Sequence, residues 1–212
     1  MHKNTQNRLL NSVLITLGLL LIGGCATKTI TYTQYDFGPL PIVASAAVSP
    51  AETATLPALS LSLADVHAPV WLDTTMMMFR LAYANDLQPR PYATTRWSMP
   101  PPQLFSQRLK ARISLAGGTV VSLSDGAVNL PVLRIDMDDF SQTFDSASHS
   151  VAQVSIRASL FNGRVLAAQK TFSRQIATPT ADAAGGARAF ATANDAVIDD
   201  LMAWLTRLPV KK

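Results

Sequence analysis

The spacing of apolar residues changes several times along the chain, and each change marks an element. Leu59, Leu61 and Leu63 alternate with Ser60 and Ser62, the two-residue period of a half-buried strand, which Pro69 stops. Residues 76–83 (MMMFRLAY) predict a second, more continuously apolar strand, with 92–97 as its partner beyond a polar turn. Pro100-Pro101-Pro102 then opens a helix over 103–115. Phe105, Leu109 and Ile113 recur on it at four-residue spacing, Lys110 and Arg112 sit in its last turn, and Gly117-Gly118 ends it. A short strand over 119–123 follows. Leu133, Ile135 and Met137 alternate with Arg134, Asp136 and Asp138, and Ala152, Val154, Ile156, Ala158 and Leu160 repeat that pattern. Asn162-Gly163 predicts a two-residue hairpin turn, because both positions favour positive φ. The return strand, 164–176, is more polar and carries Lys170 and Arg174. It is either a sheet edge or covered by another subunit, so a homo-oligomer stays open. After a small-residue loop over 177–186, Phe190, Val197, Leu201, Trp204 and Leu208 place one apolar stripe on a long helix over 187–208, closed by Pro209.

The fold class that emerges is α/β of the α+β type: a mostly antiparallel or mixed β-sheet with two main helices packed on it, in a single domain. Upstream of Leu59 the pattern is weaker. Residues 26–34 are polar and read as a tether, and 41–58 are rich in Ala, Ser, Thr and Pro with no usable period. Between them, Tyr35-Asp36-Phe37 predicts a short strand that joins the sheet.

The first residues have a pattern of their own. Lys3 and Arg8 precede a mostly apolar run from Leu9 to Ile22, and Ile22-Gly23-Gly24-Cys25 follows. A basic start, a short apolar stretch and small residues are the marks of a secretory signal. The apolar run is shorter than the roughly 20 residues a spanning helix needs. Ile22-Gly23-Gly24-Cys25 also resembles a bacterial lipobox, and Cys25 is the only cysteine in the chain. The expected organisation is thus a lipoprotein signal over 1–24, a lipidated tether and irregular segment over 25–58, and a globular domain over 59–208. Cys25 would carry covalent diacylglycerol and a fatty acid, and no other cofactor is expected. Ala26, where an aspartate would retain the protein at the inner membrane, points to the periplasmic face of the outer membrane.

Composition narrows function further. Of 212 residues 48% are apolar and 15% charged, below the roughly 25% typical of soluble domains. The formal charge of +4 falls to +2 without residues 1–24, which hold two basic residues and no acid. No basic run is interleaved with aromatics, so a nucleic-acid partner is not expected. One cysteine excludes an internal disulfide, and three histidines leave little material for a metal centre. Asp136, Asp138 and Asp139 form the densest acidic cluster, but the first and second fall on the wet side of a strand. His67 stands near a strand end with no nucleophile motif beside it. Gly117-Gly118 and Gly185-Gly186 lack the context of a phosphate loop. Met76-Met77-Met78 fits core better than a lipid-facing surface. An enzyme is not expected.

The segment from Pro69 to Pro102 is the most distinctive. Phe79-Arg80-Leu81-Ala82-Tyr83 and Arg96-Trp97-Ser98-Met99-Pro100-Pro101 set aromatics and arginines in a proline-framed hairpin. With the lipobox and a C-terminal helix bearing a tryptophan, this chain resembles the ABC-type transport auxiliary lipoproteins (paraquat-inducible protein C-like) over most of residues 25–208. The resemblance implies a non-catalytic, outer-membrane-anchored periplasmic subunit of a lipid transport system. Its partner would be a periplasmic MCE-domain protein. Arg80, Tyr83, Arg96 and Trp97 are the candidate partner-binding residues, since planar cations and large aromatics are enriched at binding hot spots. They also fit a structural role, with Trp97 in the core and Arg80 or Arg96 paired to an acid. The other class of function compatible with the pattern is a lipoprotein that assembles or regulates a cell-wall synthase or an outer-membrane assembly complex.

Overall fold

The computed structural model of the chain describes residues 31–40 and 59–208. Cys25, the signal over 1–24 and the segment 41–58 lie outside the described residues. Eight strands make one mixed sheet: β1 (Thr33–Tyr35), β2 (Ser60–Leu63), β3 (Met76–Leu81), β4 (Asn85–Trp97), β5 (Thr119–Ser122), β6 (Val132–Phe144), β7 (Ser150–Asn162) and β8 (Val165–Ala177). Two α-helices, α1 (Pro101–Leu115) and α2 (Ala183–Arg207), and one 3-10 turn over Leu123–Asp125 complete the described fold.

β6 is the spine of the sheet. Along one edge it pairs antiparallel with β7 from end to end. Its other edge is shared by two shorter strands, both parallel to it. Ser62 and Leu63 of β2 pair with Val132 and Leu133, while Phe79, Arg80 and Leu81 of β3 pair with Gln142, Thr143 and Phe144. A lone bridge between His67 and Asp136 spans the gap. The sheet therefore forks: β5 extends the β2 branch, and β4 then β1 extend the β3 branch.

A bulge decides which side chains of β6 face inward. Met137 pairs with Ile156 and Asp139 with Ser155, so Asp138 is the extra residue. One inserted residue reverses strand parity. Leu133, Ile135 and Met137 are buried before it, and Phe140, Gln142 and Phe144 after it. On β7 the buried set is Ala152, Val154, Ile156 and Ala158, while Gln153, Ser155 and Arg157 are half-exposed on the other face. Both helices contribute to the same apolar core: Phe105, Leu109 and Ile113 from α1, and Phe190, Val197, Leu201 and Leu205 from α2. Met77 and Met78 are also buried.

Several boundaries differ from those the pattern predicts: β3 ends at Leu81, leaving Ala82 and Tyr83 to the turn, and α1 already starts at Pro101. The first strand lies at Thr33–Tyr35, parallel to β4 with Tyr35 opposite Trp97, so Thr33 and Gln34 belong to the sheet and not to the tether. Phe37 leaves the strand and enters the core. β4 starts at Asn85, well before the expected 92. Its first half is exposed, and that hides it from a burial pattern. α2 begins at Ala183, inside the stretch read as a loop, because Asp182 caps it: the carboxylate accepts from the Gly185 N–H at 2.7 Å. Gly186 then permits a close approach, since a Cβ there would collide with the buried amide of Gln142. The β7–β8 turn is a two-residue loop, but its residues are Gly163 and Arg164. Asn162 pairs with Val165, and only Gly163 has positive φ, at +59°, which is the sign pattern of a type II′ turn.

A β-branched residue is strained at positive φ, so Gly163→Val should lower stability by roughly 1–2 kcal/mol, read as a fall of the urea midpoint. The Asp182 cap should show in the acid range. Hydrogen bonds from the Gly185 N–H and the Thr180 hydroxyl hold its pKa below the ordinary 3.8. A carboxylate with a depressed folded-state pKa stabilises above its unfolded pKa, and that contribution is lost as pH falls through the folded value. Asp182→Ala should therefore cost about 1 kcal/mol at neutral pH. The gap from the parent chain should narrow below the ordinary 3.8, measured by thermal melts across pH.

Candidate partner-binding surface

The β3–β4 hairpin carries all four residues that the sequence marks, and it separates them into two pairs. Met76 stands opposite Arg96 at one end and Leu81 opposite Asn85 at the other. Arg80 is thus four residues from the Arg96 end, roughly 13 Å at strand rise.

Arg80 and Tyr83 occupy the tip. Ala82-Tyr83-Ala84 is the turn, closed by the Ala84 N–H donating to the Leu81 carbonyl at 2.9 Å. Asn85 fixes the start of β4, its side-chain oxygen accepting from the Leu87 N–H at 3.0 Å. Arg80 donates from Nη1 to the Asp86 carbonyl at 3.0 Å, and its guanidinium lies 5.3 Å from the centroid of the Trp71 ring. Tyr83 is 55% exposed, Leu87 84% and Val70, beside Trp71, 90%. Leu87 and Val70 carry no sequence signal as surface residues, because an isolated apolar residue in a polar stretch reads the same whether it is buried or not.

Arg96 and Trp97 sit at the other end and do different work. Trp97 is only 1% exposed, so it is a core residue and presents no surface to a partner. Its ring meets Phe37, Phe140 and Phe190 edge-on at 5.9, 5.5 and 5.5 Å, and Phe140 stacks on Phe190 at 4.3 Å. Arg96 is half-buried. Its Nη1 donates to the Tyr92 carbonyl at 2.7 Å and the Thr95 carbonyl at 3.0 Å, and its guanidinium lies over the Tyr32 ring at 4.6 Å. No acid pairs with it among the described residues. The RWSMPP stretch is a corner: the Trp97 N–H donates to the Thr75 carbonyl, the Ser98 N–H to the Tyr35 carbonyl, and Pro101 starts α1.

α1 holds a polar residue that the spacing pattern passes over. Arg108 is buried, donating from Nε and Nη2 to the two oxygens of Asp195 on α2 at 2.8 and 2.7 Å, and from Nη1 to the Gly38 carbonyl at 2.9 Å. The Asp195 carboxylate raises the Arg108 pKa, so the charge is permanent. Elsewhere, Asp139 sits half-buried behind the bulge. Burial pushes its pKa up, against the hydrogen bond from the Ser141 hydroxyl. Asp136 and Asp138 face Arg157 at 3.4 and 3.8 Å in an exposed cross-strand group. Among the described residues no three His, Asp or Glu side chains gather to hold a metal, and no helix is long and apolar enough to cross a membrane.

The model of the ABC-type transport auxiliary lipoprotein component family matches residues 40–202, well over half of the chain. The chain belongs to this family. Solved structures agree on its fold. A Xanthomonas campestris protein of the DUF330 family superposes with a TM-score of 0.66 at 20% identity, over 81% of this chain and 93% of its own. An uncharacterized protein superposes with a TM-score of 0.63 at 14% identity, over 82% and 99%. No curated protein matches the chain. For an auxiliary component the hairpin tip is the notable surface: an arginine braced on a tryptophan, with Tyr83, Leu87 and Val70 exposed around the same end.

The two pairs should part on mutation. Trp97→Ala should cost about 3–5 kcal/mol, whereas Tyr83→Ala and Leu87→Ala should stay within about 0.5 kcal/mol. Urea unfolding of the three variants checks this, and a destabilised tip variant would contradict it.

Proposed function

We propose that this auxiliary component is the outer-membrane-anchored periplasmic subunit of an MCE/ABC-type lipid transport system, a non-catalytic adaptor for the periplasmic MCE-domain protein. The family match over residues 40–202 carries the reading. The Ile22-Gly23-Gly24-Cys25 stretch supports the anchor. Two or three acyl chains on Cys25 bury enough methylenes for stable attachment, so the folded domain need not contribute to membrane binding. Contact with the MCE-domain protein falls to the hairpin tip. There Arg80 is held in place by the Asp86 carbonyl and the Trp71 ring, which limits the side-chain entropy lost on binding.

The division of labour is testable by parts. Cys25→Ala should abolish palmitate labelling and release the chain from the outer-membrane fraction. A chain beginning at residue 26 should still co-purify with an MCE-domain protein encoded beside it. Arg80→Ala and Tyr83→Ala should each weaken that complex about tenfold, or roughly 1.4 kcal/mol, by surface plasmon resonance. Capture of a cell-wall synthase or an outer-membrane assembly factor in place of the MCE-domain protein would move the reading to the other class.

A further inference from the structure

The far side of the sheet from the hairpin tip ends on β8, which among the described residues pairs with β7 and with no other strand. Ten of its thirteen residues are exposed. The register shows which backbone groups are free. The Thr178 N–H donates to the Ser150 carbonyl, and the same pairing continues through Ile176–Ala152, Arg174–Val154, Phe172–Ile156 and Lys170–Ala158. In an antiparallel ladder, hydrogen-bonded and non-hydrogen-bonded pairs alternate. Lys170, Phe172, Arg174 and Ile176 therefore direct their backbone groups at β7. Gln169, Thr171, Ser173 and Gln175 direct theirs outward.

Edges of this length are usually guarded by proline or by charged side chains that lie across them. β8 has no proline, and its two charges are occupied elsewhere. Lys170 places its Nζ 5.2 Å from the Phe172 ring centroid, and Arg174 is ion-paired with Asp200 of α2. Both lean toward the helix. There they border a groove of about 430 Å³ between β8 and the end of α2, with Phe172 and Trp204 packed edge to face at 5.7 Å and Arg207 on the opposite wall.

Charge selects the occupant. From Gly163 to Ala181 the chain has Arg164, Lys170 and Arg174 and no acid. Like charges brought together across a strand pair are destabilising, so a second copy pairing edge to edge is disfavoured and an acidic strand is favoured. We propose that the β8 edge is a docking site for an extended, acidic segment of a partner protein. The segment adds as a ninth strand on the backbone of Gln169, Thr171, Ser173 and Gln175. Its alternate side chains enter the groove, apolar ones against Phe172 and Trp204 and a carboxylate between Lys170 and Arg207. Main-chain bonds then supply affinity and the groove supplies selectivity. This site does not depend on the MCE-domain reading, which uses the opposite side of the sheet.

The probe is an end-blocked peptide of alternating glutamate and valine, titrated into the purified full chain and followed by tryptophan fluorescence. Binding should be saturable, and a lysine–valine peptide of the same length should bind at least tenfold more weakly. Ser173→Pro removes an outward N–H that β7 does not use, so it should fold normally and lose at least tenfold in affinity. If that variant does not fold, Lys170→Glu with Arg207→Glu serves instead, and it should reverse the preference between the two peptides. Equal binding of both peptides, or unchanged affinity in a folded Ser173→Pro chain, overturns the proposal. So does self-association that Ser173→Pro abolishes in sedimentation, which would assign the edge to a second copy. Binding to phosphatidylglycerol vesicles that needs Lys170, with none to the peptide, would assign the groove to a lipid headgroup.

Discussion

Everything else in the molecule hangs on the packing of four aromatic rings. Trp97, Phe37, Phe140 and Phe190 come from β4, the segment after β1, β6 and α2, and their centroids lie 4.3–6.0 Å apart. Each ring adds its buried area and about 0.5–1.5 kcal/mol per well-oriented pair. More important is what the rings connect. The three-residue strand β1 cannot hold itself to the sheet, yet Phe37 seats the residues after it in the core. β4 and β6 belong to different parts of the forked sheet, separated by β3. The long helix is pinned at Phe190. One tryptophan thus fixes the relative positions of both layers, which is why a residue with the composition of a binding hot spot is unavailable for binding.

Polar groups then choose one arrangement among those the apolar core allows. Gln142 is fully buried, and its amide is satisfied by three elements: it accepts from the Tyr92 hydroxyl and donates to the Ser150 hydroxyl and the Asp182 carbonyl. Arg108 does the same between the helices and the Gly38 carbonyl. A buried ion pair adds little net stability over apolar packing but costs heavily when half of it is removed, so these groups specify register more than they stabilise. Asn194 is the counterexample. It is buried on α2 with neither side-chain polar atom hydrogen-bonded, a local cost that the surrounding aromatic and aliphatic packing absorbs.

The sequence made most of this visible where period and burial coincide. The alternation through Leu133–Met137 and Ala152–Leu160, and the four-residue spacing on α1, place strands and helix correctly. Periodicity fails where something other than burial sets the structure. Asp138 interrupts the alternation of β6, so Phe140, Gln142 and Phe144 fall out of phase although the strand continues. β4 is held from Asn85 by its partner strand and not by apolar residues. α2 starts four residues before the expected 187 because Asp182 caps it, and its two glycines permit close approach, Gly185 to Thr180 and Gly186 to Gln142. Of the candidate site, Arg80 and Tyr83 stand at the exposed tip. Trp97 is core, and composition could not separate the two cases because tryptophan and arginine suit both. Leu87 and Val70 are exposed without any signal that a single sequence carries.

The forked sheet accounts for why the exposed features lie at its two ends. β6 shares one edge between β2 and β3, so each pairs with only part of it, and the β3 branch continues into the β3–β4 hairpin. Its other edge carries β7 and β8, each thirteen residues long, and among the described residues nothing follows β8 in the sheet. The hairpin tip is a compact apolar and cationic knob, suited to a pocket. The β8 edge is a linear row of backbone groups with a cationic groove beside it, suited to an extended chain. The two proposed sites differ in chemistry and lie toward opposite edges of the sheet, so an occupant of one need not displace an occupant of the other. That geometry is what an auxiliary component needs if it is to hold one partner while engaging a segment of another.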